Sequence, residues 1–335
     1  MTLATAMLVG LFAVAAGFSL GASSVLVRSL ERLAARAGLT EAMLGVVSAV
    51  AANSPELTSS IAALVQGQHD IGVGVVLGSN VFNLAALLGL GAVVAGAIRL
   101  HRTVVVFVGG VGAWVVAAAL VVVAGGLPPV LGLVAVLLLL VPYLVISAAP
   151  RVAQRLPLPE RWCALLRLAV VDEEIELAPV LRPPLGRRRD AVFAAGALVT
   201  VVVASVVMER SAGTAGSQLH LPAIVIGGLV LAAVTSLPNA VAAIYLAGRG
   251  RGAAVLSETM NSNTLNVVLG LLLPACFVGL PHPVSGGAIV AAGFACALTL
   301  CALVLAYLGR GLQRRSGSLL IAGYAAFVAA TVVLR

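Results

Sequence analysis

Glu56 follows a proline in the run Asn53-Ser54-Pro55-Glu56, inside a stretch that is otherwise mostly small and apolar. Proline in a helix interior removes one N–H and crowds the carbonyl four residues back. The sequence therefore predicts a broken helix that frees the carbonyl of Ala51 and disturbs that of Ala52. Thr235-Ser236-Leu237-Pro238-Asn239 repeats the arrangement, with Pro238 acting on Val234 and Thr235. Carboxylate, carbonyl and amide oxygens are the donors that hard cations such as Ca²⁺ and Na⁺ take. A carboxylate at the centre of a bilayer costs about 2.5–3.5 kcal/mol even on insertion scales, and a bound cation offsets that cost.

A second pair of polar runs follows each proline run: Gly78-Ser79-Asn80-Val81-Phe82-Asn83 and Asn261-Ser262-Asn263-Thr264-Leu265-Asn266. Ser79 and Asn83 are four apart and share a helical face, as do Ser262 and Asn266. One turn back on the second face stands Glu258. Taken singly, Ser and Asn also serve as interhelical hydrogen-bonding residues. As a repeated set beside two broken helices they read as a cation site. With Glu56 and Glu258 both facing it, the site carries two negative charges and balances one Ca²⁺, or two monovalent ions or protons; with Glu56 alone, divalent binding is weak.

The elements that hold these residues must lie in lipid. The 335 residues are 61% hydrophobic and 10% charged, against roughly 25% charged in soluble domains. Spans are expected near 3–27, 40–66, 71–97, 103–124, 129–149, 190–209, 221–247, 253–279, 284–308 and 317–334. All 20 basic residues are arginine. With these ten spans alternating, 18 arginines fall on one side, and only Arg210 and Arg335 on the other. The positive-inside rule then puts both termini outside the cytoplasm. The net charge of +8 sits at span ends rather than on a basic face, which excludes a nucleic-acid binder. The lysine-free, Ala/Val/Gly-rich composition points to a bacterium and so to its inner membrane.

Cys163, Cys276, Cys296 and Cys301 form no CxxC pair and read as small hydrophobes. His69, His101, His220 and His282 fall at span borders as interfacial polar residues. Glu41 and Asp70 stand where helix starts favour a negative charge, and Gly72, Gly74 and Gly78 have the spacing of close helix packing. The loop 151–189 reads as a solvated linker, with regulatory cation binding at Asp172-Glu173-Glu174-Ile175-Glu176 as the alternative and a short surface helix at Trp162–Val171.

Sliding the sequence against itself by 183 residues aligns Gly45 with Gly228, Pro55 with Pro238, Gly67 with Gly250, Ser79 with Ser262, Asn80 with Asn263, Asn83 with Asn266 and Leu88 with Leu271. Five spans separate the copies, so the second enters the membrane from the opposite side. Such inverted repeats place a transport site between the copies at mid-membrane. The expected fold is an all-α integral membrane protein of ten transmembrane helices in two inverted-topology five-helix repeats: 1–150, the linker 151–189, and 190–335.

The Pro-Glu run followed by Gly-Ser-Asn-x-x-Asn resembles the alpha repeats of the sodium/calcium exchangers of the cation/calcium exchanger superfamily, over 40–90 and 223–273. The resemblance implies antiport of Ca²⁺ against Na⁺ or H⁺. It implies Glu56 as the cation-binding glutamate and Ala52 and Thr235 as carbonyl donors. Asn53, Ser236, Ser79, Asn83, Ser262 and Asn266 match side-chain ligands. The sequence departs from the pattern at Asn239, where the second glutamate belongs, at Ala52-Asn53 for a Thr-Ser pair, at Asn261 for glycine, and at Glu258, where the family often has asparagine. Asn239 still offers a carbonyl oxygen, and Glu258 moves the missing carboxylate to the neighbouring helix. The direct metal donors are then Glu56, Asn239, Ala52, Thr235 and Glu258. No cofactor is expected; the partners are the lipid bilayer and small inorganic cations. The rival within transport is Na⁺/H⁺ exchange. An intramembrane enzyme is disfavoured because no nucleophile–base pair or metal-binding motif lies in a span, and a passive channel because the broken helices come as an inverted pair.

Overall fold

The computed structural model describes residues 3–37, 47, 49–148, 185–281 and 284–333. The chain is an all-α membrane protein. Helix α1 is Leu3–Arg36. Helical residues 49–52 and a turn at Asn53 lead into α2, Ser54–Val65. Helix α3, His69–Asn83, continues through a π-helical stretch, Leu84–Leu90, into Gly91–Ala95. After strand β1, Ala97–Arg99, come α4, Arg102–Val123, α5, Pro129–Ala148, and α6, Arg188–Gln218. Helix α7 begins at Ala223–Val225, passes through π-helical Ile226–Leu231 and ends at Ala232–Thr235. It is followed by α8, Leu237–Gly248. Helix α9, Gly252–Leu265, continues through π-helical Asn266–Leu272 into Leu273–Val278. The chain closes with α10, Gly286–Gly309, β2, Gly311–Gln313, and α11, Arg314–Val333. Among the described residues, seven helices are long and apolar enough to cross a membrane; α7 and α8 pass that test only together, bent by 49° at their break as a broken span or a re-entrant loop, and α5 is a shorter apolar helix.

Two helices run on past the expected spans. Helix α1 continues through Arg28 and Arg32 to Arg36, and α6 continues through Glu209 and Arg210 to Gln218. A helix keeps its backbone bonds when it leaves hydrocarbon, and Arg and Glu favour helix. The 34 residues of α1 extend about 51 Å at 1.5 Å per residue, well beyond a ~30 Å hydrocarbon core. The two long helices run antiparallel along their length. Thr5 donates to Gln218 at 2.8 Å, Ser19 and Ser205 bond at 2.9 Å, and Arg32 meets Asp190 at 3.3 Å.

Helix α3 lies at the centre, with most of its residues buried. Its glycines let neighbouring backbones close in. A Cβ on Gly78 would overlap the Gly228 backbone of α7, one on Gly74 would lie 2.9 Å from the Gly228 nitrogen, and one on Gly72 would lie 2.7 Å from Leu64 of α2.

One small pair of strands accompanies the helices: β1 and β2 pair antiparallel, Ile98 opposite Leu312. Gly96 (φ 85°) and Arg310 (φ 49°) turn the chain back at the ends of α3 and α10. That reversal sets two three-residue segments side by side, and Ile98 and Leu312 bury their side chains in the main core. Gly67 and Gly250, equivalent under the 183-residue offset, have φ of 75° and 74°, so both copies turn with the same backbone.

Asp70 lies in the first turn of α3, where the N-cap Gln68 makes no side-chain bond; it favours the helix by charge alone. His69, His101 and His220 do fall at helix ends. Glu41, Cys163, His282, Gly45, Arg335 and the features expected in 151–184 lie outside the described residues.

Candidate cation site

Both proline runs break their helices in the same way. In the first, Asn53 N–H donates to the Ala49 carbonyl at 2.9 Å and Leu57 N–H to the Asn53 carbonyl at 2.9 Å. In the second, Ser236 N–H donates to Ala232 and Ala240 N–H to Ser236, each at 3.1 Å. Among the described backbone bonds between these segments, none runs from residue 56 to Ala52 or from residue 239 to Thr235. Both carbonyls are thereby left for another donor or a cation. Ala51 departs from expectation. Its carbonyl accepts from Ser54 Oγ at 2.7 Å and Ser23 Oγ at 3.3 Å, because a serine hydroxyl just after the break reaches the acceptor that the proline vacated. The Thr235 hydroxyl bonds the Leu231 carbonyl in its own helix at 2.9 Å, so only its carbonyl remains to act.

The two breaks touch each other. Ser236 Oγ donates to Glu56 Oε1 at 2.9 Å, and Asn239 Nδ2 donates to Asn53 Oδ1 at 2.8 Å. Residues 53 and 236, and 56 and 239, are equivalent under the offset of 183, so the two bonds exchange into one another. The asparagines of α3 and α9 do the same. Asn80 Nδ2 donates to the Asn263 carbonyl and Asn263 Nδ2 to the Asn80 carbonyl, both at 3.2 Å. Asn83 Nδ2 donates to Asn263 Oδ1 at 2.9 Å, and Asn266 Nδ2 to Asn80 Oδ1 at 3.5 Å. Asn53 ties the sets together, donating to Ala49 at 2.8 Å and to Ser262 Oγ at 3.1 Å.

This network uses the N–H groups and leaves the oxygens. Among the described residues, Glu56 Oε2, Asn239 Oδ1, Ser79 Oγ, Asn83 Oδ1 and Asn266 Oδ1 are buried without a protein partner. The five residues are each at most 1% exposed. A buried polar atom left unpaired costs about 1–3 kcal/mol, so five in one region form a set built for something that accepts oxygen lone pairs. Their chemistry, one carboxylate with neutral amide and hydroxyl oxygens, suits Na⁺ or Ca²⁺. Among the described residues no group of three or more His, Cys, Asp or Glu could hold a metal ion.

Asn53, Glu56, Ser79, Asn83, Thr235, Ser236, Asn239, Ser262 and Asn266 are thus buried where α2, α3, α7, α8 and α9 meet, while Ala52 is half-buried. Glu258 is different. It is partly exposed. The sequence motifs assign no role to Asn80 and Asn263; in the fold they are the hub joining the two copies, and their coincidence under the offset was the available signal. Asn261 turns aside, donating to Ser257 Oγ at 3.1 Å and accepting from the Tyr143 hydroxyl at 3.3 Å.

The sequence profile of the family described as sodium/calcium exchanger protein matches residues 7–171 and 191–333. The putative antiporter CaxA of Alkalimonas amylolytica is 32% identical over 77 residues, covering 23% of this chain and 24% of CaxA. The chain matches about a quarter or less of the length of its first curated relatives. Solved structures that share the fold include two exchangers. The H⁺/Ca²⁺ exchanger CAX aligns with a TM-score of 0.67 at 13% identity, over 98% of this chain and 86% of that one. The sodium-calcium exchanger NCX_Mj aligns with a TM-score of 0.60 at 20% identity, over 97% and 99%.

Proposed function

This chain belongs to the sodium/calcium exchanger family, whose members are secondary transporters and not enzymes, and on that premise we propose that it is a cation antiporter exchanging Ca²⁺ for Na⁺ or H⁺ by alternating access. The observation that carries this reading is the set of five buried, unpartnered oxygens around Glu56. Glu56 supplies the charge, Asn239, Ser79, Asn83 and Asn266 supply neutral side-chain oxygens, and Ala52 and Thr235 supply carbonyls. Asn53, Ser236 and Ser262 hold these groups in place. Each half-site comes from a different copy, so relative movement of the copies opens the site to one side at a time.

The architecture that goes with this reading has ten spans in two inverted five-helix repeats. In this reading the seven long helices, the bent α7–α8 pair, the shorter α5 and the helix that carries Glu56 each count as one crossing. Helices α1 and α6, equivalent under the offset, run antiparallel, as inversion requires. The arginine-rich ends fall together: Arg36 reaches the Gly186 carbonyl at 3.1 Å, and β1 pairs with β2. We assign that side to the cytoplasm of a bacterial inner membrane.

Asn239 in place of a second glutamate favours one alternative, monovalent Na⁺/H⁺ exchange, because the innermost site then carries a single full charge. One experiment tests both. Purified protein in liposomes is loaded with a Na⁺ or pH gradient, and radioactive Ca²⁺ uptake is read beside an internal pH dye. Gradient-driven Ca²⁺ uptake, abolished by Glu56→Gln, supports the Ca²⁺ reading. Na⁺-driven pH change without Ca²⁺ uptake supports the alternative, and neither flux sinks the antiport assignment.

A further inference from the structure

A second carboxylate is buried within the helices, away from the cation site. Glu209 is the only acidic residue of α6 beyond its first turn. Its residue surface is fully covered. Gln66, the residue that ends α2, donates Nε2 to Glu209 Oε2 at 2.9 Å, and Glu209 Oε1 has no protein partner. No salt bridge reaches it among the described residues. The adjacent Arg210 is exposed and directs its Nε to Gln66 Oε1 at 3.1 Å, so the Gln66 amide sits between the acid and the arginine.

The titratable and charged groups around Glu209 are few. Helix α1 carries none from Leu3 to Val27, and α7 carries none; α2 contributes only Glu56, at its far end, and α3 contributes His69 and Asp70 at its start. A carboxylate buried near the membrane border, with one hydrogen bond, no salt bridge and only the neighbouring Arg210 to favour its charge, carries that charge at a cost, and such groups mark proton or ion pathways. One unpartnered oxygen is too few for Na⁺ or Ca²⁺, which need several oxygens; it is enough for one hydrogen.

Water is close at hand. A cavity of about 700 Å³ lies between the start of α3 and the end of α6, lined by Gly67, Gln68, His69, Gly213, Thr214 and Ser217. Gly213 is one helical turn from Glu209 on the same face. From Gln66, residues 63, 59 and 56 follow at helical spacing along one face of α2, where the Ser59 hydroxyl is buried and unpartnered. The position equivalent to Glu209 in the first copy is Leu26, so this acid belongs to one side of the molecule only.

We propose that Glu209 is a proton-binding site on the outer side, distinct from the Glu56 cation site. Oε1 takes a proton from the cavity and gives it back there, and Gln66 transmits the change to the helix that carries Glu56. The inference rests on the antiport reading for its link to transport, but not for the proton site itself.

The test has two readouts. Infrared difference spectra between two pH values, on wild type and Glu209→Gln in lipid, are expected to lose one protonated-carboxyl band in the variant, with Glu209→Asp restoring a shifted one. In proteoliposomes, cation flux is expected to depend on outer pH in wild type and Glu209→Asp and to lose that dependence in Glu209→Gln, which still transports. An unchanged carboxyl band in Glu209→Gln overturns the proton site. A lost band with the outer-pH dependence intact overturns its link to transport. Absence of cation flux in wild type overturns the antiport reading and leaves the infrared result to decide on Glu209.

Discussion

At the scale of single residues, amide orientation decides what the site offers. Asn53 spends its N–H groups on Ala49 and Ser262, so its oxygen faces Asn239 and turns the Asn239 oxygen free. Asn239 therefore occupies a glutamate's place with an oxygen available but no charge. Asn239→Glu is expected to tighten Ca²⁺ binding at least about tenfold, or 1.4 kcal/mol, measured by equilibrium binding to purified protein; no gain means that residue 239 does not line the site. Glu258 is partly exposed, and its charge is screened by water. Glu258→Gln is expected to weaken Ca²⁺ binding only about three- to fivefold, under 1 kcal/mol, in the same assay. A loss as large as that of Glu56→Gln would make it an equal ligand. Glu56 was legible in the sequence because a carboxylate placed just after a proline in an apolar run needs a cation or a proton to be tolerated in lipid. Asn80 and Asn263 were not, because their partners are 183 residues away.

At the scale of elements, prolines and glycines do opposite work. Pro55 and Pro238 open helices, whereas Gly74 and Gly78 close a crossing against Gly227 and Gly228. Gly78→Ala must push that backbone contact apart. Overpacking of this kind costs about 1–3 kcal/mol, so the variant is expected to unfold at a lower temperature in detergent, followed by intrinsic fluorescence. Gly10→Ala, where added volume meets nothing within 4 Å, is the control expected to match wild type. Helix ends were the least legible feature: apolar runs mark where lipid begins and ends, but α1 and α6 obey backbone bonding and run on past it. The π-helical stretches at Leu84–Leu90 and Asn266–Leu272, both beginning beside the last asparagine of each polar run, left no mark in the composition.

At the scale of the whole molecule, the topology makes a labelling prediction. In a cysteine-free background, a cysteine at Gly250 is expected to react with a membrane-impermeant maleimide only from the cytoplasmic side, and one at Gly126 only from the outside. The reverse pattern would invert the arginine-based orientation, and labelling of both from one side would break the ten-span order. Membrane residence and the identity of the polar residues gathered around Glu56 were written in the chain. Each follows from local chemistry: lipid admits few charges, and buried polar atoms recur only where they are used. Which oxygens are left without a partner, that Glu258 is only partly buried, that Glu209 is buried beside Gln66, and that two short strands pair were decided by tertiary structure alone. Hydrogen-bond partnership and burial are relations between distant segments, and no spacing within one segment encodes them.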